Sequence, residues 1–149
     1  FNGTDAWETS TGQPLHLSQE DLDRLKVSSQ VMFAPDLKSI YTKFEYRFTD
    51  EIDGRPVYLL TATLPNNQVD RLTFDVGTGL LVRRVSIVRT ALGPFVWQWD
   101  FSDYKDFGGV KIPTTIKFAQ PGVRFTRKVT KVKINAPITD ATVFNEPKK

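Results

Sequence analysis

The 149-residue sequence contains no cysteine. That excludes disulfides, thiolate nucleophiles, iron–sulfur clusters and covalent attachment of c-type haem. Histidine occurs once, as His16, and methionine once, as Met32. A lone histidine without cysteines removes almost every zinc site built on those two ligands. No run approaches the ~18 uncharged apolar residues that a membrane-spanning helix needs. Glycine and proline number only nine each, which excludes a collagen-like or low-complexity chain. The first residue is Phe1, so the chain reads as a processed product or a piece of a longer protein.

What is present suits one domain with a sizeable core: 40% of residues are hydrophobic, and 11 phenylalanines and three tryptophans supply its bulk. Charge is unevenly spread. Residues 1–79 carry seven Lys/Arg against twelve Asp/Glu, and residues 80–149 carry thirteen against five. The basic half suits phosphates, anionic lipid heads or an acidic partner, or simply keeps the wet faces of long strands soluble.

One segment reads as a helix. Ser18 is an N-cap followed by Gln19, Glu20 and Asp21, with acids where the helix dipole favours them. Leu22, Leu25, Ser29 and Met32 recur at helical steps, Val31 and Phe33 widen the stripe, and Pro35 ends it.

Beyond about residue 40 the pattern is strand and turn. Phe44, Tyr46 and Phe48 alternate with Lys43, Glu45 and Arg47 across Tyr41–Thr49, the period of a half-buried strand. Asp53-Gly54 leads into Val57–Leu64, Asn66-Asn67 into Val69–Phe74, and Gly77-Thr78-Gly79 into Leu80–Arg89. Gly93-Pro94 precedes Phe95–Tyr104, Gly108-Gly109 opens Val110–Phe118, and Pro121-Gly122 opens Val123–Ile134. Seven strands without intervening helices predict an antiparallel meander. Long and twisted, it would curl into an incomplete barrel around the helix.

In Phe95–Phe101, Phe95, Trp97, Trp99 and Phe101 share one face and Val96, Gln98, Asp100 and Ser102 the other. Four aromatics in a row make a core wall, a wall for an acyl chain or flat cofactor, or a docking face.

Polar candidates for chemistry are sparse. His16 has no nucleophile or carboxylate motif beside it and reads as structural or surface. Asp50, Glu51 and Asp53 cluster at a hairpin but lack the alternating spacing of a twelve-residue calcium loop. Asp100, Asp103 and Asp106 lie at intervals of three, without a cleft that would set two carboxylates across a substrate. Gly77-Thr78-Gly79 and Gly108-Gly109 fall between strands, so they are turns and not phosphate cradles. On the last strand Arg124 and Lys128 share one face, and Arg127, Lys131 and Lys133 the other, which marks a wet or partner-facing edge. Only Phe125 interleaves with these cations, too little stacking surface for nucleic acid.

Four stretches, in order, carry a resemblance. They are Phe1-Asn2-Gly3-Thr4-Asp5-Ala6-Trp7, and Leu72-Thr73-Phe74-Asp75 with Thr78-Gly79-Leu80-Leu81-Val82-Arg83. Next come Phe101-Ser102-Asp103-Tyr104 with Gly109-Val110-Lys111-Ile112-Pro113, and finally Asn135-Ala136-Pro137-Ile138 with Asp140 and Phe144. Together they resemble bacterial envelope domains of the lipoprotein-carrier (LolA/LolB-like) superfamily. The likeness is strongest to the non-haem C-terminal region of acidobacterial proteins bearing the name photosynthetic reaction-centre cytochrome c subunit. The resemblance implies a curved half-barrel with helices on its concave face, where carrier members shelter lipoprotein acyl chains. It also implies one domain over residues 1–149 that lacks the family's N-terminal helix and strands.

The expected fold is therefore α+β and mainly β: a curved antiparallel sheet of about seven strands, with one helix packed on the concave face. The expected function is non-enzymatic, in the periplasm or at the cell envelope, without cofactor, metal or nucleic acid. An apolar ligand, a lipid or lipoprotein acyl chain, would lie against Phe95, Trp97, Trp99 and Phe101. The alternative is a structural or docking subunit of an envelope assembly such as a photosynthetic reaction-centre/cytochrome complex. Arg124, Arg127, Lys128, Lys131 and Lys133 would then meet an acidic subunit or anionic surface.

Overall fold

The computed structural model describes residues 4–8, 14–31, 36–90, 93–134 and 137, without the side chains of residues 20, 24, 28, 30, 31 and 90. The chain divides into two compact units, residues 1–34 with 133–149 and residues 35–132. Each is taken by itself.

In the first unit, strand β1 (Trp7–Glu8) pairs with β2 (Leu15–His16), and helix α1 spans Gln19–Val31. Ser18 caps the helix as its sequence predicts: its Oγ accepts from the Asp21 backbone N–H at 3.2 Å. Leu22 is the buried member of the stripe. The expected stop at Met32, Phe33 and Pro35 lies outside the described residues, as do Phe1-Asn2-Gly3 and most of the closing Asn135–Phe144 stretch.

The second unit is an antiparallel meander of seven strands. They are β3 (Lys43–Ile52), β4 (Arg55–Thr63), β5 (Val69–Asp75), β6 (Leu81–Thr90), β7 (Gly93–Phe107), β8 (Val110–Gln120) and β9 (Val123–Lys128), neighbours in chain order. The sheet does not close, so it is a curved half-barrel with β3 and β9 as its two edges. Two-residue turns of positive φ join its hairpins where the sequence places them. Asp53 and Gly54 stand at 50° and 76°, Gly108 and Gly109 at 66° and 88°, a twist that matches the flanking strands. Register shifts between Tyr46 and Phe48 and between Thr73 and Phe74 add local bend to the sheet.

The last strand is shorter than its alternation suggests, ending at Lys128 and not Ile134. Lys128 stands opposite Thr115, and the Val129 N–H still reaches the Thr114 carbonyl at 2.8 Å. Beyond Lys128 the described residues show no further strand pairing with β8.

Burial divides the sheet unequally. Ala62, Leu72, Val88, Phe101, Ile116 and Phe118 are buried on one face. On the other, Val57 is buried, while Val69, Ile87 and Val96 stand exposed. Ile112 to Ile116 of β8 are buried on both faces.

Candidate functional site

The aromatic residues of β7 do share a face, and register brings partners to them from three other strands. Trp97 stands opposite Ser86, and Trp99 sits between Arg84 of β6 and Phe118 of β8. Phe118 in turn faces Phe125 of β9. Ring centroids are 6.0 Å apart for Trp97–Trp99, 5.9 Å for Trp97–Phe118, 5.2 Å for Trp99–Phe118 and 5.0 Å for Phe118–Phe125. Edge-on and tilted arrangements suit the ring quadrupoles. The result is a continuous aromatic platform across β7, β8 and β9. Its exposure is graded: Phe101 and Phe118 are buried, Phe95, Trp97 and Trp99 are half-buried, and Phe125 is 46% exposed.

Beside this platform lies a charged cluster that alternation alone did not single out. Asp70 of β5 accepts from the Tyr41 hydroxyl at 2.7 Å, from Arg84 Nε at 2.8 Å, and from the Ser86 hydroxyl. Asp70 and Arg84 are both buried. A buried carboxylate is tolerable only when its lone pairs are satisfied, and here three donors and one opposite charge meet it. Burial pushes the Tyr41 hydroxyl far above the usual tyrosine range, only partly countered by the Arg84 charge; the hydroxyl therefore stays a proton donor to Asp70. The Arg84 guanidinium carbon lies 4.8 Å from the Trp99 ring centroid, a cation–π contact. The ion pair thus holds the arginine in place under one of the platform's tryptophans.

A signal for this cluster does exist in the sequence. Asp70 has the parity of Leu72 and Phe74, and Arg84 that of Ser86 and Val88. Two charges on the apolar side of adjacent strands must find each other or stay unpaired.

The remaining candidates separate. His16 is exposed and packs edge-on against Trp7, centroids 6.4 Å apart. Asp50, Glu51 and Asp53 are exposed at the β3–β4 hairpin. Asp100 pairs with Arg83, Asp103 accepts from the Thr115 hydroxyl at 2.6 Å, and Asp106 accepts from the Gly109 N–H at 2.8 Å. Each of the three carboxylates thus has its own structural partner. Asp75 takes the Thr78 hydroxyl and N–H at 2.8 and 2.7 Å, which hold its carboxyl below the ordinary range. Among the described residues, no group of three His, Cys, Asp or Glu side chains could hold a metal ion.

The basic cluster splits. Arg124 and Lys128 lie on the face away from the platform, whereas Arg127 is on the platform side, its guanidinium carbon 5.9 Å from the Phe125 centroid. Lys131 and Lys133 follow the end of the strand. A cleft of about 580 Å³ opens at the β8–β9 turn, among its lining Val96, Ala119, Pro121, Val123 and Arg124. Among the described residues, no helix is long and apolar enough to cross a membrane, which says nothing of strands.

Comparison with known proteins returned no matching family model and no matching curated protein. Among solved structures the chain is similar to a LolA superfamily protein from Nitrosomonas europaea, at 16% identity over 76% of this chain and a TM-score of 0.47. It is also similar to a domain assigned to outer membrane lipoprotein sorting from Vibrio parahaemolyticus, at 12% identity over 88% of this chain and a TM-score of 0.48. The chain spans 53% and 62% of those two proteins. Likenesses this distant leave the half-barrel to stand on its own strand order and register.

Proposed function

We propose that this chain is a non-enzymatic domain of the bacterial cell envelope, periplasmic in location, that binds an apolar ligand on its aromatic platform. The ligand class is a lipid or a lipoprotein acyl chain. The observation that carries this reading is the graded row from buried Phe101 and Phe118, through half-buried Trp97 and Trp99, to exposed Phe125, on a sheet left open at both edges. Phe95 and Phe101 continue the row along β7. An acyl chain laid on these rings would gain about 0.8 kcal/mol per buried methylene, offset in part by the cost of ordering it. The Asp70–Arg84 pair serves the platform as a brace, keeping Trp99 in position with or without ligand.

The test is titration with a pyrene-labelled fatty acid, alongside native mass spectrometry of protein purified from its own membrane fraction. The wild type should saturate with one chain and carry lipid-sized extra mass. Trp97→Ala and Trp99→Ala should each weaken binding about tenfold or more, as expected for loss of a buried aromatic anchor. Trp99→Phe should retain most of it and keeps the test valid if an alanine variant unfolds. A wild type that takes up no acyl chain, or variants that bind like it, would overturn the reading.

A second reading has its own observation. All six residues of β9 are exposed along an open edge, and three of them are Arg124, Arg127 and Lys128. That edge suits docking to an acidic subunit of an envelope assembly, of which a photosynthetic reaction-centre/cytochrome complex is the instance suggested by the sequence resemblance. Recovery of the chain only within a larger complex, without small ligand, would favour it.

A further inference from the structure

The face opposite the aromatic platform has a composition that the acyl-chain reading does not use. Ile87 of β6 stands directly opposite Val96 of β7, and the Asp70–Ser86 pairing sets Val69 of β5 beside Ile87. These three β-branched side chains are 46%, 49% and 50% exposed, an apolar row across three adjacent strands. In the next row of the same face, Arg71 faces Val85, Val85 faces Gln98, Gln98 faces Ala119 and Ala119 faces Arg124. Arg89 lies opposite Pro94 at the end of β6, and Lys117 and Lys128 carry the positive charge across β8 and β9.

Carboxylates are scarce there. Among residues 69–75, 83–89, 94–102, 115–119 and 123–128 this face holds two; further along β7, Asp106 shares the face and the Asp103 carboxylate reaches the Thr115 hydroxyl on it. Asp100 is taken by Arg83, with Gln98 donating to its other oxygen at 2.9 Å, and Asp75 is buried in its own turn. Arg71, Arg89, Lys117, Arg124 and Lys128 are all exposed. The described strands β5 to β9 place no Trp, Tyr, Phe or Met on this face between residues 69–75, 83–89, 94–102, 115–119 and 123–128. A protein-binding patch concentrates its energy in such anchors. A basic field around a row of short alkyl side chains instead complements a laterally uniform negative surface with a shallow apolar layer beneath it.

We propose that this face docks on a membrane surface rich in anionic phospholipid, with Arg71, Arg89 and Arg124 against phosphates and Val69, Ile87 and Val96 at the level of the headgroups. The 580 Å³ cleft beside Val96 and Arg124 lies at the corner of this face, open to a single lipid head and the start of its chain. The surface is separate from the aromatic platform, so the proposal holds or fails independently of acyl-chain binding there.

The test is co-sedimentation of the full chain with vesicles of phosphatidylcholine alone or mixed with phosphatidylglycerol. Binding should require phosphatidylglycerol and disappear at ~1 M salt, where the screening length is about 3 Å. Arg71→Glu, Arg89→Glu and Arg124→Glu combined should lower vesicle affinity at least about tenfold, the scale set by charge attraction to an anionic leaflet. Ile87→Ser with Val96→Ser should weaken binding several-fold while leaving its salt dependence in place. These changes are on exposed side chains; should the triple reversal fail to fold, the serine pair still decides the matter. Lys105→Glu, on the platform side of β7, should bind as the wild type does. Three outcomes would overturn the proposal. The wild type could ignore phosphatidylglycerol vesicles at low salt, Lys105→Glu could lose as much as the triple reversal, or millimolar glycerophosphate could abolish binding and so mark a free-phosphate site.

Discussion

Arg83 and Arg84 are neighbours on β6, each paired with an aspartate, yet they live in different solvents. Arg84 meets Asp70 on the platform face, with side-chain exposures of 6% and 4%. Arg83 meets Asp100 on the opposite face, with exposures of 33% and 32%. One residue of translation along a strand changes a charge from interior to surface, because successive side chains point to opposite faces. The lesson concerns what an ion pair is for. The outer pair neutralises a carboxylate within a basic field and can exchange its partner for water. The inner pair has no such exit and holds Arg84 against Trp99, where it acts as a structural brace.

The largest expected effect tests the inner pair. Asp70→Ala leaves Arg84 buried without its countercharge and frees the Tyr41 and Ser86 hydroxyls of their common acceptor. Stability should fall by about 3–5 kcal/mol in urea denaturation, the range for breaking a buried pair from one side. A loss below about 1 kcal/mol would mean that water reaches the cluster and that the two arginines are alike after all.

A smaller effect concerns the bend beside both arginines. The Tyr104 hydroxyl donates to the Leu81 carbonyl at 2.6 Å, next to the register shift in the β5–β6 ladder, and burial pushes its pKa up to about 12. A raised tyrosine favours the protonated form in the fold. Its contribution is complete below the ordinary value near 10 and is lost as pH rises from there through about 12. Absorbance titration at alkaline pH should show two tyrosines ionising late, Tyr104 and after it Tyr41, with melting temperature falling over that window. Tyr104→Phe should cost about 1 kcal/mol at neutral pH and lessen the alkaline loss, with Tyr41 carrying what is left. An unchanged alkaline profile in that variant would assign the loss to another group.

The smallest expected effect belongs to the outer pair. Asp100→Ala should shift stability by no more than about 1 kcal/mol, since Arg83 turns to water. The same variant should strengthen phosphatidylglycerol binding slightly by removing the carboxylate from the basic face. A destabilisation as large as that of Asp70→Ala would erase the contrast between the faces.

Much of the sheet was legible from the chain alone. Alternation in Phe95–Ser102, together with Asp53-Gly54 and Gly108-Gly109, is local chemistry that each segment carries unaided. In Lys43–Phe48 the alternation is broken: the register shift after Tyr46 sets Phe48 opposite Leu59, on the other face from Phe44 and Tyr46, and both Tyr46 and Phe48 are exposed. The exceptions have local causes of another kind. β1 and β2 are two residues each, too short to show a period. β9 stops at Lys128, where its pairing with β8 ends, a limit that its own alternation does not show. Asp70 and Arg84 stood at apolar parity, a contradiction that alternation registers and cannot resolve.

By itself, then, the sequence determined the seven segments of the large sheet, their meander order and the two faces of β7, because side-chain alternation and turn preference act over a few residues. Only the tertiary structure decided which side chains meet. Trp99 lies between Arg84 and Phe118, Phe125 extends the platform, and Arg124 joins Arg71 across the opposite face. Those meetings depend on register between strands, and a slip of one residue would send every one of these side chains to the other face.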